Sequence, residues 1–206
     1  MDQIAGAGTA GRSGRAHAIA LPNILTYGRI AAVPALVAVL YFVPGNTGRE
    51  VAFGLFAAAS ITDWLDGYLA RIWAQQSELG RMLDPIADKL LVGAVLMMLV
   101  YDRTLDGPAI FAAIIILTRE ILVSGLREFL AELNVKVRVS ELAKWKTAFQ
   151  MVALAILILG PAIEPRLPHV VLAGVILLWI SALLTIWTGY DYLKAAIVRA
   201  IEDRGP

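Results

Sequence analysis

Six stretches of the chain are strongly apolar, and polar residues collect between them and at particular ends of them. The stretches cover residues 24–43, 51–72, 83–101, 108–127, 146–163 and 169–190. A helix needs about 20 residues to cross the hydrocarbon of a bilayer, and three stretches reach this length only with polar residues at one end. The pattern predicts an all-α membrane protein with six transmembrane helices and a short N-terminal interfacial helix.

Composition and the chain ends refine this prediction. Hydrophobic residues make up 59% of the 206 residues and charged residues only 17%, against about 25% charged residues in soluble proteins. Residues 1–20 are rich in Gly, Ala, Ser and Arg without an apolar run, which is typical of a disordered cytoplasmic tail and not of a signal peptide. We expect one six-helix domain over residues 21–195 and a cytoplasmic C-terminal tail over residues 196–206.

The distribution of basic residues predicts the orientation. With a cytoplasmic N-terminus, the outer turns hold Arg49, Arg103 and Arg166, and the remaining 15 of the 18 Lys and Arg lie on the inner side. This bias follows the positive-inside rule, so both termini should face the cytoplasm. The net charge of +1 gives no reason to expect a nucleic-acid partner, and the absence of cysteine excludes disulfides, thiolate ligands and a cysteine nucleophile.

Four aspartates stand at the inner ends of the second and third stretches. Asp63 and Asp66 are three residues apart and Asp84 and Asp88 four apart, so each pair shares a helix face. Four clustered carboxylates repel one another unless protons, basic side chains or divalent cations neutralise them. An oxygen-only set suits Mg²⁺ or Mn²⁺. The small residues beside them favour either a slot for a phosphorylated ligand or close helix packing.

The acidic motif continues into glycine, alanine and arginine at fixed spacings: Asp63-x2-Asp66-Gly67-x2-Ala70-Arg71-x8-Gly80-x3-Asp84-x3-Asp88. It resembles, at every fixed position, the signature of the CDP-alcohol phosphotransferase family. Three other segments resemble one branch of that family, the bacterial phosphatidylglycerophosphate synthases. They are Leu21 to Thr26 with Arg29, Thr118 to Glu120 with Gly125 to Glu128, and Lys144, Lys146, Thr147 and Gln150, although Ala143 stands where the family usually has Gly.

The resemblance implies a six-helix membrane enzyme, usually a homodimer, that binds two divalent metal ions and transfers a phosphatidyl group from CDP-diacylglycerol to a hydroxyl with release of CMP. It implies that Asp63, Asp66, Asp84 and Asp88 bind the metals and that Asp88 is also the general base. It further implies a site for the CDP-lipid, formed by Asp66, Gly67, Ala70, Arg71, Ser77 and Gly80 with Thr26 and Arg29 near it.

Basic residues near the acids bear on the acceptor alcohol. Arg119, Arg127, Lys144 and Lys146 either bind a phosphorylated acceptor or form a positive-inside rim. Arg119 interrupts an apolar run, where a charge is costly. A phosphorylated acceptor needs such cations, and the expected acceptor is therefore sn-glycerol 3-phosphate. The expected location of the protein is the inner membrane of a bacterium. The alternatives are phosphatidylinositol-phosphate, phosphatidylserine or cardiolipin synthesis, or, in another class, divalent-cation transport.

Overall fold

The computed structural model describes residues 21–73, 78–133 and 141–202, which are helical apart from short turns. The helices within these ranges are α1 Leu21–Phe42, α2 Gly45–Trp73, α3 Glu78–Tyr101, α4 Ala109–Glu132, α5 Glu141–Ile163 and α6 Val170–Glu202. The prediction of an all-helical chain is confirmed for these residues. The predicted tail over residues 1–20 lies outside them, and α1 runs from Leu21 without a separate interfacial helix among the described residues.

Four of the described helices are long and apolar enough to cross a membrane, which is the character of an integral membrane protein. Their apolar spans are Leu25–Phe42, Ala109–Ala131, Trp145–Ile163 and Val170–Lys194. The helices α2 and α3 carry the predicted site aspartates and do not reach the same measure within the described residues. Of the six predicted spans, four are thus candidate spans by length and composition among the described residues. Helix α6 continues to Glu202, past residue 195 where the domain was expected to end.

The helices pack as a ring in which each contacts two neighbours. Helix α1 packs on α2 and α3, α2 on α5, α5 on α6, α6 on α4, and α4 on α3, while α3 and α5 also touch across the ring. All six helices contribute to one apolar core, whose fully buried members include Leu36, Phe56, Val95, Ile116, Leu157 and Leu178. The site described below is therefore built on a continuous packed core.

Short turns connect α1 with α2, α3 with α4 and α5 with α6. The turn between α1 and α2 is so tight that a Cβ on Gly48 would lie 2.0 Å from the carbonyl oxygen of Val43, which excludes any larger residue there. The ion pairs and hydrogen bonds described below bring the starts of α1, α3 and α5 together with the later parts of α2, α4 and α6 at one face of the bundle. We call this face of the bundle the polar end.

At the opposite end, one arginine joins three elements. The Arg49 guanidinium donates to Asp102 at 2.8 Å, to the Thr104 hydroxyl at 2.9 Å and to the Ile158 carbonyl at 3.2 Å. These bonds connect the start of α2 with the turn after α3 and the last turns of α5. They fix the bundle at the end away from the site.

Candidate active site

On one side of the polar end, a buried arginine lies between two aspartates from different helices. Arg29 Nη1 is 2.8 Å from an Asp63 oxygen and 3.4 Å from an Asp88 oxygen. The Arg29 side chain is 1% exposed, whereas the two carboxylates are 44% and 49% exposed. The arginine thus neutralises the pair from inside the bundle, and the carboxylates keep an open side for a ligand.

Helix α1 also contacts the third aspartate. The Thr26 hydroxyl donates to an Asp84 oxygen at 2.6 Å, and Thr26 lies about one turn before Arg29 on the same helix face. Both residues were expected near the CDP part of a donor. The structure places them directly against three of the four predicted metal-binding aspartates, so α1 holds the carboxylates of α2 and α3 in position.

On the other side of the polar end, two basic residues share one glutamate. Glu120 accepts from the Lys146 ammonium and lies 3.5 Å from Arg119 Nη1. Arg119 Nη2 also donates to the Thr188 hydroxyl at 3.0 Å. All these side chains are largely buried. The negative charge of Glu120 offsets the cost of burying the two cations, Arg119 and Lys146.

A third cation stands at the rim of this group. The Arg127 guanidinium carbon is 5.5 Å above the centre of the Tyr192 ring, within the range of a cation–π interaction. Tyr192 is buried against Val123 and Leu130, so its ring is a fixed platform. Arg127 itself is exposed and lines the cavity described next.

One cavity of about 500 Å³ connects the acidic and basic groups. Its lining includes Asp63, Asp88 and Arg29 on the acidic side and Arg119, Glu120, Arg127 and Lys146 on the basic side. Gln150 and Lys89 line it as well. A single ligand-sized space therefore presents carboxylate oxygens and cationic groups together.

The acidic side suits a hard divalent cation in its chemistry. Within the described side chains, no three acidic or histidine groups are already arranged to hold an ion. However, Asp63, Asp84 and Asp88 offer only carboxylate oxygens, which Mg²⁺ and Mn²⁺ prefer. Two of these carboxylates converge on the Arg29 guanidinium, a position that stabilises positive charge. The donor set therefore fits such ions.

Several predicted site residues cannot be placed at side-chain level. Asp66, Gly67, Ala70 and Arg71 lie on α2, Gly80 on α3 and Lys144 on α5, but their side chains are outside the described set, and Ser77 lies outside the described residues altogether. The predicted residues that the structure brings together are Thr26, Arg29, Asp63, Asp84 and Asp88 on one side and Arg119, Arg127 and Lys146 on the other.

Other contributors to the site were not predicted from the sequence. Thr188 bonds Arg119, and Tyr192 supports Arg127. A signal for Thr188 exists: Ser181, Thr185 and Thr188 recur at helical spacing within an apolar run, and all three are buried. Such a polar stripe on a membrane helix indicates contact with another polar group.

Comparison with known proteins gives a consistent result over most of the chain. A family model described as CDP-alcohol phosphatidyltransferase matches residues 19–187. A Rickettsia bellii protein named CDP-diacylglycerol–glycerol-3-phosphate 3-phosphatidyltransferase is 50% identical over 175 residues, which cover 85% of this chain and 94% of that protein. A Cereibacter sphaeroides protein of the same name is 37% identical over 210 residues, covering 86% and 95%.

A differently named relative is also similar. A protein of Oryza sativa subsp. japonica named cardiolipin synthase (CMP-forming) is 42% identical over 188 residues, which cover 85% of this chain and 57% of that protein. Proteins with two different names thus resemble the same part of the chain.

Proposed function

Because the chain belongs to the CDP-alcohol phosphatidyltransferase family and is a phosphatidyltransferase, we propose that it transfers the phosphatidyl group of CDP-diacylglycerol to sn-glycerol 3-phosphate. The products are phosphatidylglycerophosphate and CMP. The names of the relatives from Rickettsia bellii and Cereibacter sphaeroides support this donor and acceptor. The resemblance of the aspartate motif to the family signature supports the reaction type.

The observation that carries the proposal is the single cavity lined by both groups of charges. The donor is a pyrophosphate, and its developing negative charge requires positive charge near the aspartates. The acceptor is a phosphate monoester, and Arg119, Lys146 and Arg127 supply cations for its phosphate at the other side of the cavity. Lys144, from the same basic set, would join them. Serine has no phosphate and would leave these cations unused.

The family generally depends on divalent metal ions, and we assign two Mg²⁺ or Mn²⁺ ions to the aspartates. Asp63, Asp66, Asp84 and Asp88 would hold them. When bound, such ions neutralise the diphosphate and stabilise the attacking and leaving oxygens. The Arg29 guanidinium lies within reach of Asp63 and Asp88. This side chain therefore orients both carboxylates from inside the helix bundle.

Asp88 is the proposed general base. An alcohol is too weakly acidic to attack phosphorus unaided, so a positioned carboxylate must accept its proton. The Asp88 side chain is about half exposed. Its oxygen lies 3.4 Å from Arg29 Nη1, which is farther than the 2.8 Å between Arg29 Nη1 and Asp63. It is therefore the less tightly held carboxylate of the two.

The proposed step moves one proton and exchanges one bond. The acceptor hydroxyl gives its proton to Asp88 while its oxygen attacks the phosphorus that carries the diacylglycerol. The bond from that phosphorus to the bridging oxygen breaks, and CMP leaves with the electron pair. The CDP part would be held by Gly67, Ala70, Arg71, Ser77 and Gly80 with Asp66, and by Thr26 and Arg29 through the aspartates they contact.

The membrane setting is part of the same proposal. All six helices would span the inner membrane of a bacterium, with the polar end and both termini in the cytoplasm and two chains forming a homodimer. The lipid tails of the donor then enter from the bilayer beside the cavity. Support comes from the position of the basic residues along the chain and from the cavity that joins the acidic and basic groups at the polar end of the bundle.

Cardiolipin synthesis is the second candidate, because the Oryza relative carries that name. Its acceptor would be a lipid, phosphatidylglycerol, and not a water-soluble phosphate monoester. The two reactions release the same nucleotide but consume different acceptors, so an acceptor panel separates them.

The test uses the purified full chain in lipid nanodiscs with CDP-diacylglycerol and Mg²⁺ or Mn²⁺. CMP release is measured with glycerol 3-phosphate, phosphatidylglycerol, inositol phosphate or serine as acceptor. We expect rapid release only with glycerol 3-phosphate and none after chelation of the metal. Efficient release with another acceptor alone would reassign the enzyme within its family, and metal flux into liposomes without the donor would support a transporter instead.

A further inference from the structure

A glutamine of α5 lines the cavity, and its side-chain oxygen has no hydrogen-bond partner among the residues that the structure describes. Gln150 is 3% exposed and belongs to the lining of the cavity. Its Oε1 atom is buried and has no hydrogen-bond partner within the described part of the chain. The acidic and basic groups discussed above leave this residue without a role.

A buried amide with an unmade hydrogen bond is costly, about 1–3 kcal/mol for a group left unsatisfied. Such a cost is tolerated where a ligand supplies the missing partner. The Gln amide carries an acceptor oxygen and a donor nitrogen, and a hydroxyl can both donate and accept. An alcohol hydroxyl therefore satisfies this amide in either orientation of its oxygen and nitrogen.

The position of Gln150 indicates which hydroxyl this is. Gln150 follows Lys146 by four residues, so the two side chains share a face of α5, separated by about 6 Å of helix rise. Lys146 belongs to the cations assigned to the acceptor phosphate. The carbon chain of a glycerol phosphate bridges this separation, with its phosphate at Lys146 and a hydroxyl at the next helical turn.

Two other buried side-chain atoms that have no hydrogen-bond partner among the described residues do not compete for this role. Arg119 Nε belongs to a side chain already assigned to the phosphate. Thr185 Oγ1 is buried and has no partner within the ranges that the structure describes, but Thr185 does not line the cavity. Gln150 thus combines burial, an unmade bond and access to the acceptor space.

We propose that Gln150 binds the secondary hydroxyl of a polyol phosphate acceptor and is a specificity-determining residue for it. The inference rests on the proposed function, because the cavity must hold such an acceptor. The attacking primary hydroxyl faces Asp88, the phosphate faces the cations, and Gln150 contacts the hydroxyl between them. Three contacts then fix the acceptor in one orientation.

The experiment compares two acceptors that differ in this hydroxyl alone. Both sn-glycerol 3-phosphate and 3-hydroxypropyl phosphate carry a phosphate and a primary hydroxyl, but the second lacks the secondary hydroxyl. CMP release from CDP-diacylglycerol gives kcat/KM for each acceptor with the wild type, with Gln150→Met and with Met151→Leu. Met151 is the neighbouring lining residue, and its substitution is the matched control.

For the wild type and Met151→Leu, we expect kcat/KM to fall roughly 10- to 100-fold when the secondary hydroxyl is missing. Gln150→Met should lose a similar factor with glycerol 3-phosphate and change by less than about threefold with 3-hydroxypropyl phosphate. The ratio between the acceptors then approaches one in this variant only. The KM for CDP-diacylglycerol should not change.

Two outcomes would overturn the inference about Gln150 and leave the proposed function standing. In one, the wild type uses both acceptors equally, a result that does not depend on whether the variant folds. In the other, Gln150→Met lowers kcat/KM equally for both acceptors, as a purely structural role predicts. An absence of CMP release from the wild type with glycerol 3-phosphate would instead overturn the proposed function, and the inference with it.

Discussion

The two aspartates beside Arg29 differ in how tightly they are held. Arg29 is nearly inaccessible and approaches Asp63 more closely than Asp88, and both carboxylates have an open side toward the cavity. A carboxylate that accepts a proton during a reaction must be reachable by the substrate and not committed to a short ion pair. Asp88 meets both conditions better than Asp63.

The variant Asp88→Asn tests this role. The amide keeps the size of the side chain but cannot accept the acceptor's proton, so kcat should fall about a thousandfold while the affinity for CDP-diacylglycerol stays within a few-fold of wild type. Steady-state CMP release and lipid-binding measurements check the two parts. The control is Asp106→Asn, at an exposed position in the turn after α3. Full turnover in Asp88→Asn would remove Asp88 as the base.

The hydroxyl of Thr188 holds Arg119 in the basic group. Thr188→Val removes this bond with little change in volume, which we expect to raise KM for glycerol 3-phosphate about fivefold and to leave KM for CDP-diacylglycerol unchanged. The matched control is Thr185→Val, because Thr185 is buried on the same helix and its hydroxyl has no partner in the described part of the chain. Equal effects of the two substitutions would show that Thr188 acts through packing and not through Arg119.

At the scale of helices, the contact between α5 and α6 depends on a missing side chain. A Cβ on Gly174 would lie 2.9 Å from Leu157 Cγ and 3.0 Å from Ile156 Cγ2, closer than packed carbons allow. Small residues commonly permit such close approach of membrane helices. The α5–α6 pair carries Lys146, Gln150 and Thr188, so its packing also sets the spacing within the site.

The variant Gly174→Ala should therefore lower the free energy of unfolding in detergent by about 1–3 kcal/mol through overpacking. Its matched control is Gly54→Ala, because a Cβ there meets nothing within 4 Å. Denaturant unfolding followed by fluorescence measures both variants. Equal stability of the two would contradict the close contact of α5 and α6.

The pattern of apolar stretches predicted the helices well but not their neighbours. The first residue of each observed helix lies within six residues of the first residue of the predicted stretch. The agreement follows because a charge or a turn residue interrupts each apolar run and so marks its limits. In a bilayer, however, lipid-facing and core-facing residues are equally apolar. Periodicity therefore does not reveal that α2 packs on α5 or α4 on α6.

The same limit applies to the site. The four-residue spacing of Asp84 and Asp88 indicated that both lie on one face of α3, because i and i+4 positions share a helix face whatever the partner helix. The bond from Arg119 to Thr188 joins residues 69 positions apart, and it depends on which helices are neighbours and how each is rotated. Sequence spacing within one helix does not reveal which helices are neighbours or how each helix is rotated.

For the whole molecule, orientation in the membrane is the property most open to test. The chain contains no cysteine, so single cysteines can be introduced without background. We expect a membrane-impermeant maleimide to label Asp106→Cys in intact bacterial spheroplasts. Ala131→Cys should be labelled only after the spheroplasts are permeabilised. Both positions are exposed, one in the turn after α3 and the other near the end of α4. The opposite labelling pattern would invert the proposed topology.

The central claim is the transfer of a phosphatidyl group to glycerol 3-phosphate, and its products test it most directly. The measurement counts, in one reaction, the CMP released and the isotope-labelled glycerol phosphate that becomes lipid-bound, using the purified chain, CDP-diacylglycerol and Mg²⁺. The account predicts equal amounts of both products and neither product without metal. CMP release without labelled lipid, or no CMP at all with glycerol 3-phosphate, would contradict it.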